Sequence, residues 1–235
     1  MLKMTSCAIM QPTYLPWPGY FNLMASSDIF VFLDDAQYQR SSWHCRNKIL
    51  LNGKANMLSV PVLRSGLSTK LCDVQIDYSK NWRKSHEGSI RQAYSKLTWG
   101  KQVIELLTQA FQDKPTLLID LNIRIITSLC RILMINTPVV LASTLNIIGH
   151  RSDRLLRICN ALDANTYLSP MGSADYLKED NFEGQKNIKL YFQKFDSTPY
   201  LQHKVKAFVP HLSVIDLIAN LGPEVASEYV RQSSF

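Results

Sequence analysis

The stretch CAIMQPTYLPWPGYFN, residues Cys7–Asn22, decides how the chain begins to fold. Its first part, Cys7–Met10, is a short apolar run of the kind that forms a buried strand. Three prolines, two tyrosines, a tryptophan and a glycine follow within ten residues, which predicts a rigid turn rich in aromatic side chains. Loops that follow strands carry the ligand sites of α/β proteins, so this turn is a candidate binding loop. The alternative is a turn whose aromatic side chains pack on the core, and the residues alone leave both interpretations open.

A second apolar run, Ile29–Leu33, completes the opening supersecondary motif. It consists of β-branched and aromatic residues and ends at Asp34 and Asp35, which is typical of a strand buried on both faces. Pro18–Ser26 lies between the two runs and is long enough for a short helix. Strand, turn, short helix and strand together predict a βαβ unit.

Strands and helices alternate along the rest of the sequence. Hydrophobic periodicity and turn residues predict further strands over Ala55–Leu63, Leu71–Asp77, Pro138–Ala142, Thr166–Leu168 and Ile188–Phe195. They predict helices over Trp82–Leu97, Gly100–Gln112, Pro115–Ile135 and Leu212–Leu221, the last capped by Ser213, and two more capped by Ser152 and Ser173. This order predicts one α/β domain, residues 1–235, with a Rossmann-like, three-layer, mostly parallel sheet and helices on both faces. Residues 82–135 are a candidate helical subdomain.

Composition narrows the class of protein. The 235 residues are 46% hydrophobic, which supports a sizeable core and argues against disorder. The net charge of +7 and the pI near 9.1 favour anionic partners such as nucleic acid, nucleotides or phosphorylated substrates. Charged residues interrupt the apolar stretch Leu117–Ile135, and the N-terminus lacks the apolar segment of a secretory signal, so we expect no membrane insertion. The five cysteines are scattered and include no Cys-x-x-Cys pair, which predicts reduced thiols in a cytoplasmic protein. The sequence has no zinc-ligand spacing, and we expect no metal or cofactor.

Three loops are expected to share one edge of the predicted sheet. The carboxyl ends of parallel strands meet at the same edge, so Gln11–Gly19, Asp34–Arg46 and Leu168–Gly172 should lie near one another. The last of these loops can bind an anion through backbone N–H groups at the start of a helix. The sequence contains no Walker loop, no Gly-x-Gly-x-x-Gly and no Gly-x-Ser-x-Gly motif, so common nucleotide and hydrolase signatures are absent.

The loop after the second strand mixes acids, amides, aromatic residues and arginines. Arg40 and Arg46 are suited to clamp a phosphate or carboxylate by two-pronged hydrogen bonds. Asp34 and Asp35 are suited to hold a ribose, an amine or a metal. The alternative is a solvated loop with internal salt bridges.

His86 is the main candidate for a general base. Imidazole titrates near neutral pH, and deprotonating an amine nucleophile for acyl transfer is a task that it performs well. The alternative is a core histidine that makes one hydrogen bond, since His86 lies on the same predicted helix face as Trp82 and Ile90. Cys45 follows His44 directly, but neighbouring residues on a strand point to opposite faces, which disfavours a cysteine nucleophile.

These stretches together resemble the WbqC-like protein family over nearly the whole chain. The motifs that carry the resemblance are Gln11–Phe21, Asp28–Asp35, Gln37 with Trp43 and Arg46–Ile49, Trp82 with His86, Ile90 and Tyr94, Arg154–Cys159, Thr166–Ser169 with Gly172, Tyr176 and Leu177, and Leu212–Leu217. The family often has a histidine before its Gln-Pro pair, and this chain has Met10 there. Its glycine-rich loop is also poorer in glycine in this chain.

The resemblance implies an activity, because the family is associated with gene clusters for surface polysaccharides such as O-antigen. It implies an acyl- or aminoacyl-transferase, for example a glycyltransferase, that forms an amide on the amine of an amino-sugar nucleotide or related metabolite. The donor would be an acyl-CoA, an aminoacyl-tRNA or an acyl carrier protein. We expect His86, Asp34 and Asp35 to be catalytic. The residues expected to bind substrate are Gln11, Tyr14, Trp17, Gln37, Arg46, Asn47 and Gly172.

Two further interpretations accompany this one. The opening motif is similar to that of the HUP group of Rossmann-like nucleotidylyltransferases, and this likeness concerns the fold only. The alternative function is a non-catalytic module that binds a nucleotide-linked sugar or RNA. Multiple turnover of an amine acceptor would discriminate against the binding module.

Overall fold

The structure is a computed structural model that describes residues 5–64, 66, 68–182 and 188–235. Its strands are β1 (Ser6–Met10), β2 (Ile29–Phe32), β3 (Arg46–Leu51), β4 (Lys54–Ser59), β5 (Val139–Leu141), β6 (Thr166–Pro170) and β7 (Lys189–Gln193). Its α-helices are α1 (Pro18–Ala25), α2 (Trp82–Tyr94), α3 (Gly100–Gln112), α4 (Leu118–Ile132), α5 (Arg151–Ala161), α6 (Ala174–Glu179), α7 (Val214–Leu221) and α8 (Pro223–Val230). As the sequence predicts, helices separate the successive strands of the main sheet, β1, β2, β5, β6 and β7.

Five parallel strands form the main sheet in the order β5-β2-β1-β6-β7. β1 is central and pairs with β2 through Cys7 opposite Ile29, and with β6 through Ser6 opposite Thr166. From β1 the chain first builds outward through β2 and β5, and then through β6 and β7 on the other side. This reversal makes the gap between β1 and β6 a topological switch point, where sheets of this kind open a crevice at the carboxyl edge.

Alternating side chains bury both faces of the sheet. Ala8 and Phe30 pack in one hydrophobic core together with residues of α1, α4, α7 and α8. Ile9 and Val31 point to the opposite face, where Ile158 of α5 covers them. The inner strands β1, β2 and β6 therefore lie between two helical layers, as successive residues of a strand point to opposite faces, whereas the edge strands β5 and β7 leave Val139 and Tyr191 exposed. The predicted three-layer, Rossmann-like α/β fold is confirmed.

The second, smaller sheet differs from the prediction. β3 and β4 form an antiparallel hairpin, with Arg46 opposite Ser59 and Leu51 opposite Lys54. The sequence reasoning missed β3, although the tight turn at Asn52 and Gly53, both with positive φ, is a standard hairpin signal. The predicted strand Leu71–Asp77 is wrong, because Leu71–Asp73 forms a 3₁₀ turn and the rest joins its neighbours only through isolated bridges.

Helix boundaries also required correction. Ser152 does not cap α5, because its hydroxyl donates to Asp180 at 2.7 Å while the helix begins at Arg151. Ser173 precedes α6 but makes no capping hydrogen bond from its side chain. The prediction for α7 is confirmed, since Ser213 Oγ accepts from the backbone N–H of Ile215 at 3.4 Å. The following helix α8, which starts with a proline, was not predicted.

The helices of residues 82–135 share the core of the main sheet. Ile90 of α2, Leu107 of α3 and Ile125 of α4 are buried in the same hydrophobic core as Phe30 of β2. These helices thus extend one face of the sheet. Over the described ranges, no helix is long and apolar enough to cross a membrane.

Candidate functional site

The largest candidate site is a cavity of about 880 Å³ at the carboxyl edge of the main sheet, which we call the edge cavity. The loops after β2 and β5 form two of its walls, and the start of α5 forms a third. Its polar lining side chains include Asp35, Gln37, Lys70, Ser143, His150, Arg151, Arg154 and Tyr176. Its place follows from the topology, because all parallel strands end on this side.

Asp34 and Asp35 follow β2 directly, but they have different environments. Asp34 is 4% exposed and accepts hydrogen bonds from the Ser143 backbone N–H at 2.9 Å and from the Ser143 hydroxyl. It thereby joins the end of β2 to the turn after β5. Asp35 lines the edge cavity and pairs with Arg154, whose Nη2 lies 2.6 Å and 2.7 Å from the two carboxylate oxygens. The geometry therefore gives Asp34 a structural position and Asp35 a position in the cavity wall.

Cations outnumber anions among the side chains that line the edge cavity. Lys70, Arg151 and Arg154 line it, against Asp35 as the one carboxylate among its described lining residues. Arg154 is paired with Asp35, and Arg151 is paired with Glu179 at 2.8 Å and with Asp180 at 3.2 Å, both outside the lining. The N-terminus of α5 opens at the same wall, and the positive end of a helix dipole favours an anion there. The cavity is suited to a ligand that carries negative charge.

Sequence reasoning did not single out several of these residues. Lys70 and His150 occur in polar stretches without a recognisable motif, and Arg154 was noted only within the family resemblance. The α5 start is preceded by Gly149, which has a φ of 156° and marks a turn that few other residues tolerate. Gly149, directly before a helix start that carries His150, Arg151 and Arg154, is the sequence feature that could have indicated this site.

Tyr14 and His86 meet inside the core. Tyr14 is 0% exposed, and its hydroxyl lies 2.8 Å from His86 Nδ1. His86 is 4% exposed and also packs edge-on against Trp82, with ring centroids 5.2 Å apart. Burial lowers the pKa of His86 to about 4, although a hydrogen bond to the backbone of Ser59 acts in the opposite direction. This geometry corresponds to the core alternative for both residues, and neither lines the edge cavity.

Trp17 instead lines a smaller, mostly apolar pocket of about 240 Å³, the aromatic pocket. Its walls come from Met10, Thr13, Trp17, Tyr20, Trp43, Asn47 and His211. Asn47 is 4% exposed and donates through Nδ2 to the carbonyls of Tyr14 at 3.2 Å and Leu15 at 2.8 Å. Asn47 thus holds the proline-rich turn as well as lining the pocket. Met10, the departure from the family pattern, also faces this pocket.

Arg40 and Arg46 do come together, as the phosphate-clamp hypothesis requires. Both line a cleft of about 360 Å³, the arginine cleft, and Arg64 contributes a third guanidinium. Cys45 lies in the same cleft and is 6% exposed, with the Tyr38 hydroxyl donating to its sulfur at 3.5 Å. Three guanidinium groups in one cleft are suited to phosphate or carboxylate recognition.

The remaining predicted residues occupy separate places. Gln37 lines the edge cavity. Gln11 is half-buried, and its carbonyl accepts from the Tyr20 hydroxyl at 3.2 Å. Gly172 lies in an exposed 3₁₀ turn after β6 and does not line the edge cavity, whereas Tyr176 of the following helix does. Across the described residues, no group of three or more histidine, cysteine or acidic side chains is placed to hold a metal ion.

The comparisons identify the family. The chain belongs to the WbqC-like protein family, whose model matches residues 11–228. It is 29% identical over 230 residues to the uncharacterized protein Rv1507c of Mycobacterium tuberculosis, covering 97% of this chain and 98% of that protein. No solved structure matches the chain.

Proposed function

We propose that this protein transfers an acyl or aminoacyl group to the amine of a nucleotide-linked amino sugar or a related metabolite in the cytoplasm. The edge cavity carries the proposal. Its volume of about 880 Å³ is large enough for a nucleotide-linked sugar. Lys70 supplies positive charge for a diphosphate, beside the guanidinium groups of Arg151 and Arg154, which are paired with carboxylates. Its position at the carboxyl edge is where sheets of this type bind such ligands.

The arginine cleft supports a second, anionic substrate. The loop after β2 lines the edge cavity with Asp35 and Gln37 and then lines the arginine cleft with Arg40 and Arg46. Coenzyme A, tRNA and the phosphopantetheine of a carrier protein all present phosphates, which guanidinium groups bind well. The net charge of +7 favours each of these donors alike.

The proposed reaction forms one C–N bond and breaks one carbonyl C–S or C–O bond. The acceptor amine attacks the acyl carbonyl, loses a proton to a base, and the thiolate or ribose oxygen of the donor leaves and takes up a proton. His150 is our candidate for the base, because it lines the edge cavity and is exposed, whereas His86 is buried. Removing a general base costs about 100-fold or more in turnover.

The experiment is a turnover assay with a UDP-linked amino sugar as acceptor and, in separate reactions, acetyl-CoA or glycyl-tRNA as donor. Mass spectrometry of the acceptor would show the added acyl group. Arg154→Gln should weaken acceptor binding about tenfold or more, because it removes the cation that neutralises Asp35 and leaves a negative charge in the cavity wall. Arg157→Gln is the matched control, since Arg157 lies on the same helix but pairs only with the exposed Asp153 among the contacts described. No product with any donor, in a folded protein, would reject the transferase.

A second candidate is the non-catalytic binding module. One observation favours it: the carboxylates and the histidine that the sequence offered for catalysis are all engaged in the fold. Asp34 is bonded to Ser143, Asp35 to Arg154, and His86 to Tyr14. Tight binding of the UDP-linked amino sugar without multiple turnover would support this candidate.

A further inference from the structure

A second cavity, of about 320 Å³, lies on another part of the molecule and shares no lining residue with the edge cavity. We call it the hairpin cavity, because the β3–β4 turn at Asn52 and Gly53 forms one wall. The end of α2 and the start of α7 form the others, with Tyr94 and Asp216 among the lining residues. Nothing in the proposed transferase reaction uses this cavity.

Asp216 brings a buried carboxylate to this cavity. Asp216 is 0% exposed, yet only one of its two carboxylate oxygens accepts a hydrogen bond. Oδ2 accepts from the Tyr200 hydroxyl at 2.9 Å and from Gln202 Nε2 at 3.2 Å, whereas Oδ1 makes no hydrogen bond in the described structure. Burial raises the pKa of Asp216 to about 6, so the fold tolerates its charge at a cost.

Tyr94 provides a second polar atom without a well-made bond. Its side chain is 1% exposed, and its hydroxyl interacts with Asp216 and with the backbone of Leu50 but makes no hydrogen bond of normal geometry. Asn220 also lines the cavity, but its Nδ2 donates at 2.8 Å to the backbone carbonyl of Asp216 and not to the carboxylate. An unsatisfied buried acceptor costs about 1–3 kcal/mol, more when it is charged, so two such atoms beside a cavity call for an explanation.

The rim of the hairpin cavity carries the opposite charge. Lys96, His203 and Lys204 are exposed and line the same cavity as the buried carboxylate. A ligand that enters from this side meets cations first and the carboxylate at greater depth. Such a gradient selects a molecule that carries both signs of charge, with its cationic end inward.

We propose that the hairpin cavity is a binding site for a small amine that also carries an anionic group, a zwitterion of the amino-acid or aminoalkyl-phosphate type. Its ammonium group donates hydrogen bonds to Asp216 Oδ1 and to the oxygen of Tyr94. Its carboxylate or phosphate lies between Lys96 and Lys204. An ammonium group has three N–H donors and no acceptor, so it matches the two unsatisfied acceptors, Asp216 Oδ1 and the Tyr94 oxygen. An anion is not expected to bind next to the Asp216 carboxylate.

The test is isothermal titration calorimetry with γ-aminobutyrate and phosphoethanolamine at millimolar concentration, beside their N-acetylated forms. The free amines should bind saturably and the N-acetylated forms should not, because acetylation removes the ammonium charge. Tyr94→Phe should weaken the amines about fivefold to tenfold, by loss of one hydrogen bond. Lys204→Gln should weaken them less and in a salt-dependent way. Lys84→Gln, an exposed lysine outside the cavity, is the matched control and should change nothing.

Asp216→Asn is the most direct test, because it removes the carboxylate charge. Far-UV circular dichroism checks that the variant is folded. A folded Asp216→Asn variant that no longer binds the amines supports the proposal. If this variant does not fold, Tyr94→Phe decides, because its hydroxyl makes no normal hydrogen bond that the fold would lose. Equal binding of the N-acetylated probes, unchanged affinity in either folded variant, or no binding of either amine would overturn the proposal. These experiments measure binding alone, so their results do not depend on the result of the transferase assay.

Discussion

His86 makes the stability of this protein sensitive to acid. The fold holds the ring neutral, since burial lowers its pKa from 6.5 to about 4. The unfolded chain takes up a proton on this residue near pH 6.5, while the folded chain does so only near pH 4. The contribution of His86 to the free energy of unfolding is therefore fully present above about pH 6.5. It decreases as the pH falls, and the decrease levels off below about pH 4. The direction is that of a buried neutral histidine that must become charged when the protein unfolds.

The size of the effect follows from the two pKa values. At about pH 5 the imidazole of the unfolded chain is almost fully protonated, and the buried one is about one-tenth protonated. The linkage relation then gives a loss of about 2 kcal/mol between about pH 7.5 and pH 5. His44 has the same lowered pKa of about 4, again because of burial, and adds a similar loss. Asp216 acts in the opposite direction, because its raised pKa of about 6 makes protonation stabilise the folded state by about 1 kcal/mol over this range.

The measurement is urea denaturation, followed by tryptophan fluorescence, of the wild type and His86→Gln at about pH 7.5 and pH 5. Glutamine is neutral at both pH values and has an acceptor for Tyr14 and a donor for the Ser59 backbone. We expect the variant to be less stable overall, but to lose about 2 kcal/mol less than the wild type on acidification. His203→Gln, at an exposed position, is the control and should keep the wild-type difference. An identical pH dependence in the wild type and His86→Gln would refute the buried, neutral histidine and restore the accessible general base.

Three other substitutions test how the turn after β1 and the sheet edge are held. Asn22→Ala should lower the free energy of unfolding by about 3 kcal/mol, because the side chain is 0% exposed and donates hydrogen bonds to the carbonyls of Val230 and Gln232. A loss of less than about 1 kcal/mol in urea denaturation would contradict this. Asp34→Ala should speed hydrogen exchange of the Ser143 amide, which donates to it at 2.9 Å; unchanged exchange rejects the contact. Gly19→Ala should displace the Trp17 ring, which an added Cβ would approach to 2.3 Å, and an unshifted tryptophan emission spectrum would speak against that.

The parts of the fold that were predicted correctly are those that depend on local pattern. β1 and β2 are buried on both faces, so they form nearly continuous apolar runs in the sequence and need no partner to be recognised. The hairpin strand β3 was missed because it begins with the polar residues Arg46–Lys48, and its apolar part, Ile49–Leu51, is only three residues long. Leu71–Asp77 is apolar for a different reason, because Leu71, Val74 and Ile76 pack into the core from an irregular segment.

The candidate site was predicted less well, since its decisive contacts join residues far apart in the chain. The Asp35–Arg154 pair spans 119 residues, and the pairing of Tyr14 with His86 spans 72. Spacing along the chain contains no information about either partner. Of the three loops predicted to lie together, Gln11–Gly19 and Asp34–Arg46 do meet, because Trp17 and Trp43 line the aromatic pocket. Leu168–Gly172 lines neither that pocket nor the edge cavity. Arg40 and Arg46 share a cleft because they are close in the chain, at the end of one loop and the start of β3.

The turn of Cys7–Asn22 shows why its two interpretations are not exclusive. Tyr14 points into the core and Trp17 lines the aromatic pocket, so one short segment serves packing and a surface cavity. Its path is held by amides from elsewhere: Asn47 bonds the Tyr14 carbonyl at 3.2 Å, and Asn122 bonds the Pro12 carbonyl at 3.1 Å. The backbone is constrained by its prolines and anchored at both ends, so ordering the pocket for a ligand costs little further entropy. A rigid, aromatic turn directly after the first strand therefore provides a preformed pocket wall at the switch point of the sheet.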